Sequence, residues 1–167
     1  MKNIVIALYP GATPLDVGGP AQLLSGLPQA QLHFAAASLE PVPPDAGFAM
    51  APTTLFSDCP QADVLLVGGG PGQVALMPSS DLIDFLRAQG KAADYVTSVC
   101  TGSLLLGAAG LLEGYRATSH WAFIDYLAGF GATPVEGRVV ADRNRITGGG
   151  VTAGIDFGLH LLAELES

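Results

Sequence analysis

The residues best suited to chemistry in this chain lie in Ser98-Val99-Cys100-Thr101-Gly102-Ser103. An apolar run, Tyr95 to Val99, precedes Cys100, and Gly102 to Ala109 reads as a helix after it. A nucleophile on a sharp strand-to-helix turn is held in strained backbone geometry, and small neighbours such as Gly102 and Ser103 leave clearance for a substrate. The adjoining helix N-terminus carries partial positive charge, which is expected to favour thiolate over thiol. That arrangement suits attack on a small electrophile. Residue types alone are equally compatible with a buried structural cysteine. Cys59, in Ser57-Asp58-Cys59-Pro60, has neither helix nor glycine turn to activate it and reads as inert.

Three further features could serve such a nucleophile. Gly68-Gly69-Gly70 directly follows the apolar run Val64 to Val67. Glycine lets backbone N–H groups approach a ligand closely, so an oxyanion hole fits, and so does a plain tight turn. Phosphate binding fits poorly, because neither a G-x-x-x-x-G-K-[ST] loop nor a G-x-G-x-x-G fingerprint is present. Asp16 follows the first apolar run in Thr13-Pro14-Leu15-Asp16. Next to a thiolate and partly desolvated, its carboxyl pKa is expected to rise, so that it could stay protonated and donate a hydrogen bond; the alternative is an acid placed only to suit a helix N-terminus. His120, expected to open a helix with Trp121, is the histidine available as a base, or else packs against the aromatic ring. His33 within a strand and His160 within the last helix read as structural.

The elements that must position these groups alternate between strand and helix. Strands are expected at Ile4 to Tyr9, Gln31 to Ala37, Val64 to Val67 and Tyr95 to Val99, and the runs Ile4 to Tyr9 and Val64 to Val67 are apolar enough to be buried on both faces. Helices are expected at Leu15 to Leu24, with an irregular start around Gly18, Gly19 and Pro20, and at Asp81 to Gln89 with Ser79 or Ser80 as N-cap. Trp121 to Ala128 reads as an amphipathic helix, and Thr152 to Glu166 as a final one capped by Gly150 or a neighbouring hydroxyl. Phe48 to Phe56 should hold short extended pieces, and Arg138 to Ala141 with Arg145 to Thr147 should form a hairpin. This order predicts an α/β three-layer sandwich, flavodoxin-like and amidotransferase-like, with a mostly parallel sheet and helices on both faces. With no repeat, linker or low-complexity tract, residues 1–167 are expected to form one domain.

Composition narrows the partners. Seven Lys and Arg against fifteen Asp and Glu give a net charge of −8. No cationic cluster exists to neutralise phosphates or anionic lipid, so nucleic-acid and membrane-surface binding are not expected. No run approaches the roughly 20 apolar residues that span a bilayer. The run Ile4 to Leu8 is too short for a signal peptide and two cysteines make no disulfide framework or metal set, so a cytoplasmic, metal-free protein is expected. With 49% hydrophobic and 13% charged residues, part of the apolar surface should be hidden in an oligomer.

Four segments in order carry a resemblance: Ser98 to Ser103, Gly107-Ala108-Ala109-Gly110-Leu111-Leu112, Arg116-Ala117-Thr118-Ser119-His120-Trp121, and Thr147 to Asp156. Together they resemble the isonitrile hydratases, in the PfpI-like class I glutamine amidotransferase-like superfamily. They are also similar to the amidotransferase-like sensor domains of AraC-type regulators. Leu15-Asp16 before Gly19-Pro20, Pro52-Thr53-Thr54 and Phe56 to Pro60 resemble the isonitrile hydratase branch in particular. The resemblance spans nearly the whole chain and implies Cys100 as nucleophile and Asp16 as its acidic partner. Gly19, Gly69, Gly70, Thr101, His120 and Gly150 are the expected oxyanion and substrate contacts, in a cofactor-free homodimer acting on a small molecule. Gly18 stands where relatives carry a larger or polar residue, and relatives continue beyond the position of Ser167. The sensor relatives carry a helix-turn-helix domain past this point, so a free-standing enzyme is expected.

Three functions remain open at this level. The first is hydration of an isonitrile to an N-substituted formamide through a Cys100 thioimidate. The second is glyoxalase or deglycase chemistry on a small aldehyde, with Asp16 moving protons. The third is a non-catalytic redox or metabolite sensor, which the same features serve, since a low-pKa exposed thiolate is prone to sulfenic and sulfinic states.

Overall fold

The computed structural model describes residues 1–167 throughout. In chain order the elements are β1 (Lys2–Ala7), α1 (Pro14–Leu24), β2 (Ala30–Ala36), β3 (Thr54–Leu55), β4 (Val64–Val67), α2 (Gln73–Leu76), α3 (Asp81–Gly90), β5 (Tyr95–Val99), α4 (Gly102–Ala108), β6 (Arg116–Ala117), β7 (Thr133–Pro134), β8 (Val139–Asp142), β9 (Arg145–Gly148) and α5 (Ala153–Glu166). Seven strands form one sheet in the order β3-β2-β1-β4-β5-β9-β8, while β6 and β7 pair separately. Every pairing in the large sheet is parallel except the β8–β9 hairpin. This is the expected mostly parallel α/β architecture.

Side chains that alternate along a strand point to opposite faces, and here both faces are covered. Ile4, Ile6, Val64 and Leu66 pack with Val17, Leu24, Phe157 and Leu161 of α1 and α5. Val5, Ala7, Leu65 and Val67 pack on the other side with Leu82, Leu86, Leu104 and Leu105 of α3 and α4. Fully burying a side chain of this kind stabilises by about 1.5–3 kcal/mol. The continuous apolar runs are therefore strands with two dry faces.

Several local expectations need correction. α1 is regular from Pro14, which occupies the first turn where its missing N–H costs nothing. Its glycines do not disrupt it: Gly19 faces α5, where a Cβ would lie in ordinary contact, 3.5 Å from Ile155 Cγ1, and Gly18 faces open space. Trp121 to Ala128 is not an α-helix: a 3₁₀ helix runs from Ile124 to Phe130, and within it only Leu127 is buried. Trp121 and Tyr126 stay exposed, so the apolar stripe that suggested an amphipathic helix has no surface to cover. Ser80, not Ser79, caps α3 by accepting the Ile83 N–H at 3.3 Å. α5 has no side-chain cap at Thr152.

The strand order reverses between β1, which leads outward to β2 and β3, and β4, which leads the other way. In open α/β sheets that switch point opens a crevice at the carboxyl ends of the strands. Asp16 follows β1, Gly68 to Gly70 follow β4, and Cys100 follows the adjacent β5.

Candidate active site

Cys100 has φ 58, a left-handed conformation rarely taken by a residue with a side chain. The backbone around it is pinned at both ends. Its N–H donates to the carbonyls of Gly148 and Gly149 at 3.0 and 2.9 Å. Its carbonyl accepts the Ser119 hydroxyl at 3.0 Å. Behind the turn, Ser103 donates to the Thr118 carbonyl at 2.6 Å and its oxygen lies 2.7 Å from that of Ser98. A strained turn persists only where its surroundings overdetermine it, as these contacts do.

Close approach of β4 and α4 requires Gly102 to lack a side chain. A Cβ there would stand 2.4 Å from the Val67 carbonyl oxygen and 3.0 Å from the Gly68 carbonyl. Gly102→Ala should therefore destabilise the protein by about 1–3 kcal/mol, the usual cost of overpacking. A lower urea midpoint with an unchanged m-value would register it; an unaltered midpoint would show that β4 and α4 can part without cost.

The triple glycine serves the catalytic candidates in an unexpected way. The N–H groups of Gly69 and Gly70, which suit either an oxyanion hole or a plain tight turn, are both engaged within the protein: Gly69 N–H donates to Asp16 Oδ2 at 2.8 Å and Gly70 N–H to Thr101 Oγ1 at 3.1 Å. Gly70 has φ 144 and a Cβ on it would meet the Gly11 carbonyl oxygen at 2.3 Å, so only glycine fits. A Cβ on Gly69 would meet Thr101 Oγ1 at 2.5 Å and Cys100 Cβ at 3.1 Å. The loop is thus clamped between Asp16 and the Cys100–Thr101 turn.

Asp16 is wholly buried, although it lies in the first turn of a helix. Its Oδ1 has no partner within ordinary hydrogen-bond geometry. The thiol of Cys100 is nonetheless close enough to enter its ionisation as a side-chain hydrogen bond. Burial raises the Asp16 pKa from 3.8 to about 6, against the opposing Gly69 N–H; Asp45 adds a further push upward and the Cys100 thiol a downward one.

Burial also pushes the Cys100 thiol up to about 12, and the Asp16 carboxylate adds to the rise. The N–H and hydroxyl of Thr101 act in the opposite direction. Burial and the neighbouring carboxylate both act against the expected thiolate. α4 has only seven residues, and the favourable field at its start is outweighed by desolvation and a neighbouring carboxylate. Burial raises both groups, and the Asp16 carboxylate raises the thiol further, so the two ionise as a pair. Cys59, pushed by burial to about 11, has no such base beside it.

The remaining expected contacts are scattered. Gly19 faces α5 and Gly150 lies near His120, whose Cδ2 would be 3.8 Å from a Cβ at 150. His120 Nδ1 accepts the Ala122 N–H at 3.1 Å, and its ring tilts against Trp121 and Phe123. It makes no hydrogen bond to Cys100 or Asp16. A cavity of about 310 Å³ adjoins the Cys100 turn through Ser119 and Gly149 and is bounded by Trp121, Ile124 and Arg138. Neither this cavity nor the larger ones, of about 450, 530 and 570 Å³, is lined by Cys100 or Asp16. No group of three or more His, Cys, Asp or Glu is arranged around a metal position. Sequence reading missed Ser119, whose hydroxyl holds the Cys100 carbonyl; its place beside His120 was the available signal.

Comparison with known proteins places this geometry among relatives. The family model for the DJ-1/PfpI family matches residues 2–164. The chain is 53% identical to isonitrile hydratase of Pseudomonas putida, over 98% of this chain and 72% of that protein. It is 31% identical to the HTH-type transcriptional regulator GbdR of Pseudomonas aeruginosa, covering 95% of this chain and only 42% of the regulator. A crystal structure of a THiJ/PfpI family protein from Pseudomonas syringae superposes with a TM-score of 0.96 at 52% identity, covering 98% of this chain and 69% of that one.

Proposed function

The chain belongs to the DJ-1/PfpI family, and we propose that it is an isonitrile hydratase-like lyase that adds water to an isonitrile to give an N-substituted formamide. The observation that carries this reading is the buried Asp16 carboxyl beside Cys100 on its strained turn. It stands alongside 53% identity to an isonitrile hydratase.

An isonitrile, R–N≡C, has one terminal carbon that accepts a proton and then a nucleophile. A resting thiol paired with a carboxylate suits both steps. Asp16 takes the proton from Cys100 sulfur and delivers it to that carbon while sulfur bonds to the same atom, giving the thioimidate R–N=CH–S–Cys100. Water then adds to the carbon, its proton passing through Asp16 to nitrogen, to give R–NH–CH(OH)–S–Cys100. Collapse breaks the C–S bond, the hydroxyl proton returns to sulfur, and R–NH–CHO departs. No electron is transferred, so the sequence needs no redox cofactor. Thr101 N–H and its hydroxyl, directed at sulfur, stabilise the charge that develops there as the proton leaves.

The test is to offer purified protein an alkyl isonitrile, methylglyoxal or buffer alone. Formamide from the isonitrile is expected, and in D₂O its formyl carbon should carry deuterium, because that hydrogen comes from the exchangeable thiol. Lactate from methylglyoxal with no formamide would instead assign aldehyde chemistry. A redox sensor would need a standing thiolate, and burial beside Asp16 works against one.

The proposed assembly is a homodimer. Leu15 of α1 with Ile155 and Leu159 of α5 leaves three large apolar side chains 43–50% exposed along two packed helices. Covering such a patch with its own copy is the common solution. Light scattering should report about twice the 17.0 kDa chain mass; a monomer at micromolar concentration would refute the dimer. No helix is long and apolar enough to cross a membrane.

A further inference from the structure

Tyr9 is buried just beyond β1 and takes no part in the chemistry described above. Its hydroxyl donates to the Gly68 carbonyl at 2.8 Å. That carbonyl and the Gly69 N–H belong to one peptide unit, and the N–H donates to Asp16 Oδ2, also at 2.8 Å. In a trans peptide the two groups point in opposite directions. One peptide plane therefore joins the Tyr9 phenol on one side to the Asp16 carboxylate on the other.

We propose that Tyr9 is a positioning residue for Asp16, acting through the Gly68–Gly69 peptide to orient and strengthen the single N–H that holds the carboxylate. This rests on the reading of Asp16 as the proton carrier of the Cys100 reaction. Hydrogen bonds in series polarise one another, by roughly 10–30% per bond. Donation to the carbonyl draws electron density from the amide and makes its N–H a better donor. It also helps to hold the peptide plane, which lies between two glycines with no side chain to restrict it. The phenol keeps its proton across the working range, because burial, Asp16, Cys100 and Asp45 all raise its pKa.

Few charges compete with this link. The groups that act on Asp16 besides Gly69 are Asp45, which accepts the Thr13 hydroxyl at 2.9 Å, and Cys100. The loop after β4 offers no charged side chain, and on α5, which packs against α1, Asp156 is paired with Arg138. His160 of α5 faces Glu164. A change at Tyr9 should therefore be read out at Asp16.

The measurement uses the pH dependence of iodoacetamide labelling, followed separately at Cys100 and Cys59 by mass spectrometry. A cysteine sharing a proton with a carboxylate reacts faster as pH rises to the carboxyl pKa and then levels off, because the thiolate–carboxylic acid form becomes a constant fraction. For Cys100 that bend is expected near the Asp16 value of about 6. Tyr9→Phe removes only the hydroxyl, weakens the Gly69 donor, and should move the bend upward by roughly half a unit. The Cys59 profile should not change, which also reports an intact fold. In an Asp16→Asn background the bend should vanish and Tyr9→Phe should have no further effect. An unmoved bend, or an equal effect of Tyr9→Phe in that background, overturns the proposal.

If Tyr9→Phe does not fold, the unsubstituted protein still decides. The Gly69 amide nitrogen and the Tyr9 ring carbon bearing the hydroxyl should titrate in NMR with one shared inflection, lost in Asp16→Asn. Titration of Gly69 without Tyr9 overturns the proposal. Because labelling needs no substrate, a shifted bend in a protein that does not hydrate isonitriles would support the Tyr9 link while defeating the proposed activity.

Discussion

Cys100→Ala should abolish isonitrile hydration, with a loss on the order of 10⁶-fold, the scale seen when a catalytic nucleophile is removed from a working site. The fold should survive. Removing Sγ leaves a small space at the sheet edge, and the backbone contacts to Gly148, Gly149 and Ser119 do not involve the thiol. The left-handed conformation is as costly for Ala as for Cys, so the substitution neither adds nor relieves backbone strain. Formamide production should be followed at high enzyme concentration, with the thermal midpoint checked in parallel. Retained turnover in a folded Cys100→Ala protein would falsify the thioimidate route. Wild-type protein quenched during turnover should carry the isonitrile mass on the peptide containing Cys100.

Asp16→Asn should slow hydration by roughly 10²–10⁴-fold, the usual contribution of a positioned acid–base group. Asn keeps the shape and can still accept the Gly69 N–H, but cannot relay a proton from sulfur to carbon. Its second signature is thermodynamic. The folded Asp16 pKa of about 6 lies above the ordinary 3.8, so ionising the buried carboxyl opposes folding. The native state is favoured by the neutral acid below about pH 3.8, and that advantage disappears as pH rises through 6. A shift of about two units corresponds to about 3 kcal/mol. Asp16→Asn should thus be more stable than wild type above pH 6 by up to that amount, with the gain fading below pH 4. Slower catalysis with a stability gain confined to neutral pH identifies a carboxylate kept at a cost for function. A variant that is fully active, or no more stable at pH 7 than at pH 4 relative to wild type, would leave Asp16 as a helix-terminus acid.

These expectations bear on why Cys100 and Cys59 differ. Neither is a standing thiolate, since burial raises both. The distinction expected under the proposed reaction is an internal base: the Asp16 carboxyl acts on Cys100, whereas burial alone acts on Cys59. Reactivity at this site is therefore a property of the pair rather than of the sulfur.

Much of this was legible in the amino-acid sequence, for physical reasons. Runs such as Ile4 to Leu8 and Val64 to Val67, interrupted by glycine and proline, can hide their side chains only in a sheet covered on both faces, so the α/β architecture followed. The order strand, cysteine, small residues, helix placed Cys100 at a strand end, and the same logic placed Asp16 and Gly68 to Gly70 at the same edge. What sequence could not supply was the balance of terms within a few ångströms. The sign of the Cys100 pKa shift depends on how completely α1 and the glycine loop exclude water and on the carboxylate they bury there. Whether Gly69 and Gly70 offer their N–H groups to substrate or to Asp16 and Thr101 depends on loop contacts made across β1, β4 and β5. Tyr9 looked like the last residue of a strand, and its link to Asp16 exists only because residues 59 positions apart meet at one peptide. Local pattern determines which residues reach the edge of the sheet. Only the packed tertiary structure decides which of them lose water, and that desolvation sets where the proton sits.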